Sequence, residues 1–208
     1  MASKRRKMFQ KNKTQETTEN ASMAFYVRSF HILPSFKGSL RNYDDSLAVA
    51  TVETPFALSS FTLPVCLDWT PWVHVKTGKV ITYKVTAPDS SSSSIVFENQ
   101  SYDLDLVDYN ECIDNVPRNF VKFVGSGRLC ATRPDGVDVI SQGSIGNAFT
   151  VVKEGRHVFY GMVVLKPRDV GVNILLMENV SMYRQFIADN VPDISRMHET
   201  QVILNVEW

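Results

Sequence analysis

Hydrophobic and polar positions alternate along this chain in short runs broken by turn residues. The run Met23-Ala-Phe-Tyr-Val-Arg-Ser-Phe-His-Ile-Leu33, closed by Pro34, is aromatic and β-branched and predicts a strand. Residues 35–45 predict a loop, residues 47–52 a strand or short helix cut by Pro55, and residues 56–67 a third apolar run ending near Pro64. Trp72, His74 and Lys76 alternate with Val73 and Val75, and Ile81, Tyr83 and Val85 share one face of the stretch that follows. With Thr77-Gly78 between them, the two stretches predict a hairpin. Tyr102, Leu104 and Leu106 alternate with Asp103 and Asp105, which predicts a half-buried strand with an acidic outer face. Further short strands are expected over 120–124, 137–140, 148–152, 157–165 and 170–176. Val180, Tyr183, Phe186, Ile187 and Val191, at spacings of three and four, predict one helix over 178–190, stopped by Pro192. The last apolar run, 201–206, predicts a closing strand.

Short strands at this spacing predict a mainly β fold, a single sandwich- or barrel-like domain with one helix in the C-terminal region. The chain has 208 residues, 44% hydrophobic and 21% charged, which suits one domain with a core of its own. Residues 23–208 are read as that domain and residues 1–22 as a disordered basic arm. The five serines 90–94 predict an exposed loop.

Charge alters this picture. The net charge is zero, yet Lys4, Arg5, Arg6, Lys7, Lys11 and Lys13 lie within the first thirteen residues without an acid. Residues 1–13 therefore carry +6 and residues 14–208 carry −6. Six such cations are the candidate polyanion-binding residues, facing nucleic acid, an anionic membrane surface or, through Lys4, Arg5, Arg6 and Lys7, a nuclear import receptor. No apolar segment follows the first basic cluster, so a secretory leader is not expected, and no run is long enough for a membrane span. Cys66, Cys112 and Cys130, an odd count without paired spacing, are then expected to be reduced thiols. On that expectation the Asn-x-Ser/Thr sequons at Asn12, Asn20, Asn99 and Asn179 carry no information.

Candidate chemistry is sparse. Seven acids and no base lie between Lys84 and Arg118. Asp103-x-Asp105 could open a cation site, but Val107 and Asp108 break the calcium-loop pattern and strand alternation accounts for the acids; no metal or cofactor is expected. His74 or His157 could serve a cysteine nucleophile, though nothing marks a particular thiol. Neither Gly125-Ser126-Gly127 nor Gly143-Ser144-Ile145-Gly146 has nucleophile-elbow or phosphate-loop spacing, and turns are the simpler reading. Trp69 and Trp72 lack the basic interleaving of an RNA reader. Enzymatic function is not expected.

A short basic arm such as Ser3-Lys-Arg-Arg-Lys7, a β-rich body and a final strand such as Val202-Ile-Leu-Asn-Val206 resemble jelly-roll coat proteins of small RNA viruses. Phe25-Tyr-Val27, Leu33-Pro-Ser-Phe36 and Tyr43-Asp-Asp-Ser-Leu-Ala48 resemble the start of rhabdovirus matrix proteins, although the Pro-Pro-x-Tyr motif of many of those is missing. The resemblance implies a non-enzymatic virion structural protein that self-associates and contacts viral RNA, the nucleocapsid or an anionic membrane. Its place would be the virion, the host cytoplasm or the host nucleus. A matrix role comes first because six cations suffice for a surface contact, with a coat role next. From another class, a movement or accessory protein binding single-stranded nucleic acid is the alternative.

Overall fold

A computed structural model describes residues 25–59, 63–69, 75–86, 96–125, 127–136, 144–167 and 172–191. The basic arm, the 137–140 strand, the five serines and the 201–206 strand lie outside these residues. Strands β1 (Val27–Ile32) and β2 (Ala48–Val52) form an antiparallel ribbon. Then follow β3 (Cys66–Leu67), β4 (Thr77–Thr86), β5 (Val96–Val107), helix α1 (Tyr109–Asn115), β6 (Arg128–Thr132), β7 (Ala148–Lys153), β8 (Arg156–Leu165), β9 (Ile174–Asn179) and helix α2 (Arg184–Asn190).

Six of the strands close a barrel. β4-β5-β6 and β7-β8-β9 are each neighbours in sequence order or through one partner: β5 lies between β4 and β6, and β8 between β7 and β9. β7 joins β4 and β9 joins β6, so the ring has no free side. β3 adds to β8 in parallel, Cys66 opposite Val158. The mainly β expectation holds, in the form of a barrel, and the helix in the C-terminal region is present. That helix begins later than the spacing suggests, because residues 178 and 179 belong to β9. Asn179 Oδ1 accepts from Ser181 N–H (3.1 Å), and a 3-10 turn over Val180–Tyr183 precedes α2.

Strand periodicity sorts side chains into two cores. Inside the barrel lie Val80, Leu104, Ala131, Phe149, Val151, Val163, Leu175 and Met177. Cys130, Phe159, Met162, Ile174 and Leu176 project from the same wall the other way, where Cys112 of α1, Ile187 of α2 and Leu47 cover them. β9 therefore alternates between two apolar layers, Ile174 and Leu176 outward, Leu175 and Met177 inward. This explains a strand with no polar alternation. On β8, Phe159 pairs with Thr150 and Gly161 with Phe149, leaving Tyr160 as an extra residue that reverses the alternation beyond it.

Several expectations are corrected. Thr77-Gly78 is not a hairpin turn, since both residues lie inside β4 and the hairpin is β4 with β5. Gly78 is there because a Cβ would come within 2.4 Å of the Phe149 ring and 2.7 Å of the Thr150 carbonyl. Residues 121–123 form a 3-10 turn, not a strand. Gly125 and Gly127 do not use the positive φ that glycine permits in a turn; among the described glycines it falls at Gly38, Gly136, Gly146 and Gly155. α1, unforeseen, starts at Asp108, whose carboxylate accepts from Glu111 N–H (2.9 Å). Finally, Cys112 and Cys130 are not free thiols: they form a disulfide, with Cα atoms 6.0 Å apart, that ties α1 to β6. Cys66 remains free.

The bond closes a loop of 18 residues, worth about 3 kcal/mol on chain entropy. Reduction, or the double change Cys112→Ser/Cys130→Ser, is expected to lower stability by about that amount in urea denaturation. An unchanged midpoint under reducing conditions would show that the bond contributes nothing.

Candidate functional site

Arg128 stands first on β6, directly opposite Glu178 on β9. Both side chains are 2% exposed. Taking two charges from water costs several kcal/mol each, and the surroundings answer each lone pair and proton. Arg128 Nε and Nη2 donate to Glu178 Oε1 (3.3 and 3.2 Å), and Nη1 donates to the carbonyls of Phe123 (2.8 Å) and Asn42 (3.1 Å). Nη2 also donates to the Tyr43 carbonyl, with Asp44 Oδ1 3.5 Å away. The other Glu178 oxygen accepts from the Tyr183 hydroxyl (2.7 Å), and Asp45 Oδ1 lies 3.3 Å from that hydroxyl. Burial, and then the two carboxylates, push the Tyr183 phenol well above its ordinary value, so it stays a donor.

This cluster holds the segment leading into β2. Asn42, Tyr43 and Asp45 have φ of 53°, 59° and 61°, which costs non-glycine residues on the order of 1 kcal/mol each or more. Their conformation turns the carbonyls of Asn42 and Tyr43 to the guanidinium, where charge-assisted bonds of about 1.5–3 kcal/mol offset the strain. Leu47 is thereby seated in the outer core. The ribbon beyond it leaves Phe30 and Ile32 on an exposed face opposite Ala50 and Ala48.

The remaining sequence candidates are scattered. The six cations of the arm lie outside the described residues, as do His74 and Trp72. Arg133 pairs with Asp135 and lies over the Tyr102 ring (5.1 Å) beside an open groove of about 410 Å³ lined by Ser101, Tyr102, Asp103, Arg133, Pro134 and Asp135. Asp103 is held by Lys79 at 2.8 Å on the outer face. Among the described residues no three His, Cys, Asp or Glu side chains converge as a metal site would require. Lys153 bonds Asp68 (2.6 Å), and that carboxylate holds the ammonium above its ordinary value; burial, then Asp68, push the neighbouring Tyr160 phenol up as well.

Two features near serine residues bear on hydrolytic chemistry. On β1, Ser29 Oγ lies 3.4 Å from His31 Nε2, two residues along one strand face. Entering β7, Ser144 is 1% exposed while its neighbour Ile145 is 38% exposed. Gly146, at φ 93°, donates its N–H to the Val163 carbonyl (2.7 Å), and the Val163 N–H donates to the Asn147 carbonyl (2.9 Å), fixing this turn against β8.

No family model matches the chain. It is similar to a modular serine protease of Drosophila melanogaster, 23% identical over 174 residues that take in 77% of this chain and 26% of that protein. The chain thus spans about a quarter of the length of the curated relative it matches.

Replacing Glu178 by Gln leaves Arg128 buried without its counter-ion and is expected to cost about 3–5 kcal/mol in chemical denaturation. The double change Arg128→Met/Glu178→Leu should cost less than Glu178→Gln alone. A single-variant loss under 1 kcal/mol, on the scale of a surface pair, would mean that water reaches the pair.

Proposed function

We propose that the chain is a serine-protease-like β-barrel that does not itself cleave peptide bonds. The observation that carries this reading is the Ser144–Ile145 turn. A serine nucleophile needs its oxygen open to substrate, a histidine to take its proton and a carboxylate behind the histidine. At this turn Ser144 is 1% exposed, while Ile145 beside it faces solvent. Support for the protease-like part comes from the likeness to the Drosophila modular serine protease and from the closed barrel, one of the scaffolds on which such triads occur. The disulfide supports an oxidising compartment as the working location. The test is labelling with a fluorophosphonate probe alongside hydrolysis of unfolded casein. No serine should react and no peptide bond should be cut; a labelled serine would remove the reading.

The charge split favours a second reading, in which the arm makes the chain a matrix-like virion structural protein, with coat and movement roles behind it. Six cations without an acid act as a tether for RNA or an anionic leaflet, while a body at −6 repels both. Deleting residues 1–13 should leave the melting temperature unchanged and remove most RNA and liposome binding. For the intact chain, log K should fall with log salt at a slope reaching about −4 to −5. Negative-stain microscopy with and without RNA separates ordered shells from monomers. RNA affinity unchanged by the deletion rules the tether out.

A further inference from the structure

The disulfide gives meaning to the Asn-x-Ser/Thr sequons. A cross-link between cysteines 0% and 4% exposed belongs to an oxidising compartment, and a chain made by the secretory route is also offered to the enzymes that glycosylate this sequon. Asn12 and Asn20 lie outside the described residues, which leaves two acceptors, Asn99 and Asn179.

Asn179 is engaged. Its Oδ1 accepts from both the N–H (3.1 Å) and the hydroxyl (2.7 Å) of Ser181, the hydroxyl residue of its own sequon. Its chain neighbours Glu178 and Val180 are 2% and 1% exposed. A glycan there would have to grow from the seam between the barrel and the α2 turn.

Asn99 lies at a different place in the barrel's sheet. β4 and β5 pair over ten positions, from Thr77 opposite Asp105 to Thr86 opposite Val96. The barrel takes up only one end of that ladder: β4 meets β7 at Lys79 and Val80, and β5 meets β6 at Asp105, Leu106 and Val107. Beyond this, among the described residues, the two strands pair with each other alone, and Asn99, opposite Tyr83, lies in that stretch. Strand period two puts position 99 on the face of Ser101, which is exposed, and of Asp103, whose side chain is 69% exposed. The opposite face carries Leu104, at 0%. The sequon's asparagine and serine positions thus share the outward face of the strand.

We propose that Asn99 is an N-glycosylation site and that Asn179 is not. The donor is a lipid-pyrophosphate-linked oligosaccharide. The Asn99 Nδ2–sugar C1 bond forms as the C1–oxygen bond to pyrophosphate breaks, the lipid pyrophosphate leaves, and the amide proton passes to a base of the transferase. This assignment stands on the disulfide and the strand register, and is independent of whether the barrel binds or cleaves.

The full chain, directed into the secretory route of cultured insect cells behind a cleavable leader, is treated with peptide N-glycosidase in heavy-oxygen water and mapped by mass spectrometry. Asn99 should be recovered as heavy-labelled aspartate. Asn99→Gln and Ser101→Ala should each abolish that signal, and Asn179→Gln should leave it intact. Secreted chain and chain retained in the cells are mapped side by side, so that slow export cannot hide the result. An unmodified Asn99 in both pools, or a glycan on Asn179, overturns the proposal.

Discussion

A guanidinium taken out of water has five N–H groups to satisfy, and much of this fold is arranged around the one on Arg128. Its position opposite Glu178 fixes how β6 meets β9. The bonds to the Asn42 and Phe123 carbonyls draw in two segments far apart in sequence, one leading to the β1–β2 ribbon and one leading out of α1. Through Glu178 the same group reaches Tyr183, and so the turn from which α2 starts. An apolar pair at these positions would pack the wall equally well, and buried ion pairs are poor sources of net stability. What the pair supplies is a unique way of attaching these pieces to the barrel.

Beside this cluster, the disulfide does a separate task. It anchors α1 over the outward face of β6, where Cys112 and Ile113 join the outer core. A helix of seven residues is too short to be stable from hydrogen bonding alone. Covering the outer face of β6, β9 and β8 is what allows those strands to be apolar on both sides. Among the described residues the Phe30 and Ile32 face of the ribbon has no such cover.

How much of this was legible in the sequence depended on whether one residue's surroundings were local. β1, β7 and β8 could be read because β-branched and aromatic runs ended at Pro34, at Glu154-Gly155 and near Pro167. β5 could be read because Leu104 and Asp103 face different media. The Thr77-Gly78 hairpin was misread because a glycine flanked by alternating valines looks like a turn, whereas its real reason, the Phe149 ring, lies 71 positions away. α1 had a signal that was passed over: Asp108-Tyr-Asn-Glu111 is a capping pattern. Arg128 and Glu178 had none, since nothing in a linear chain announces that two residues 50 apart will be buried face to face. The odd cysteine count concealed a pair plus a single thiol, and spacing alone could not tell which.

Barrel closure also sets an order of assembly. β4, β5 and β6 follow one another, as do β7, β8 and β9, so within each trio a strand finds its partner in the next strand of the chain, with α1 lying in the connection from β5 to β6. The two trios meet twice: five register pairs join β6 to β9, but only Lys79–Thr150 and Val80–Phe149 join β4 to β7. Loop-closure entropy is charged in full for that second meeting and little ladder is gained in return. On these grounds the β4–β7 junction is expected to form late, and contacts this distant in sequence are those of slow-folding β topologies. The ring is then only as durable as its narrowest join, which lies at Gly78 and Phe149, where backbone and aromatic ring already touch.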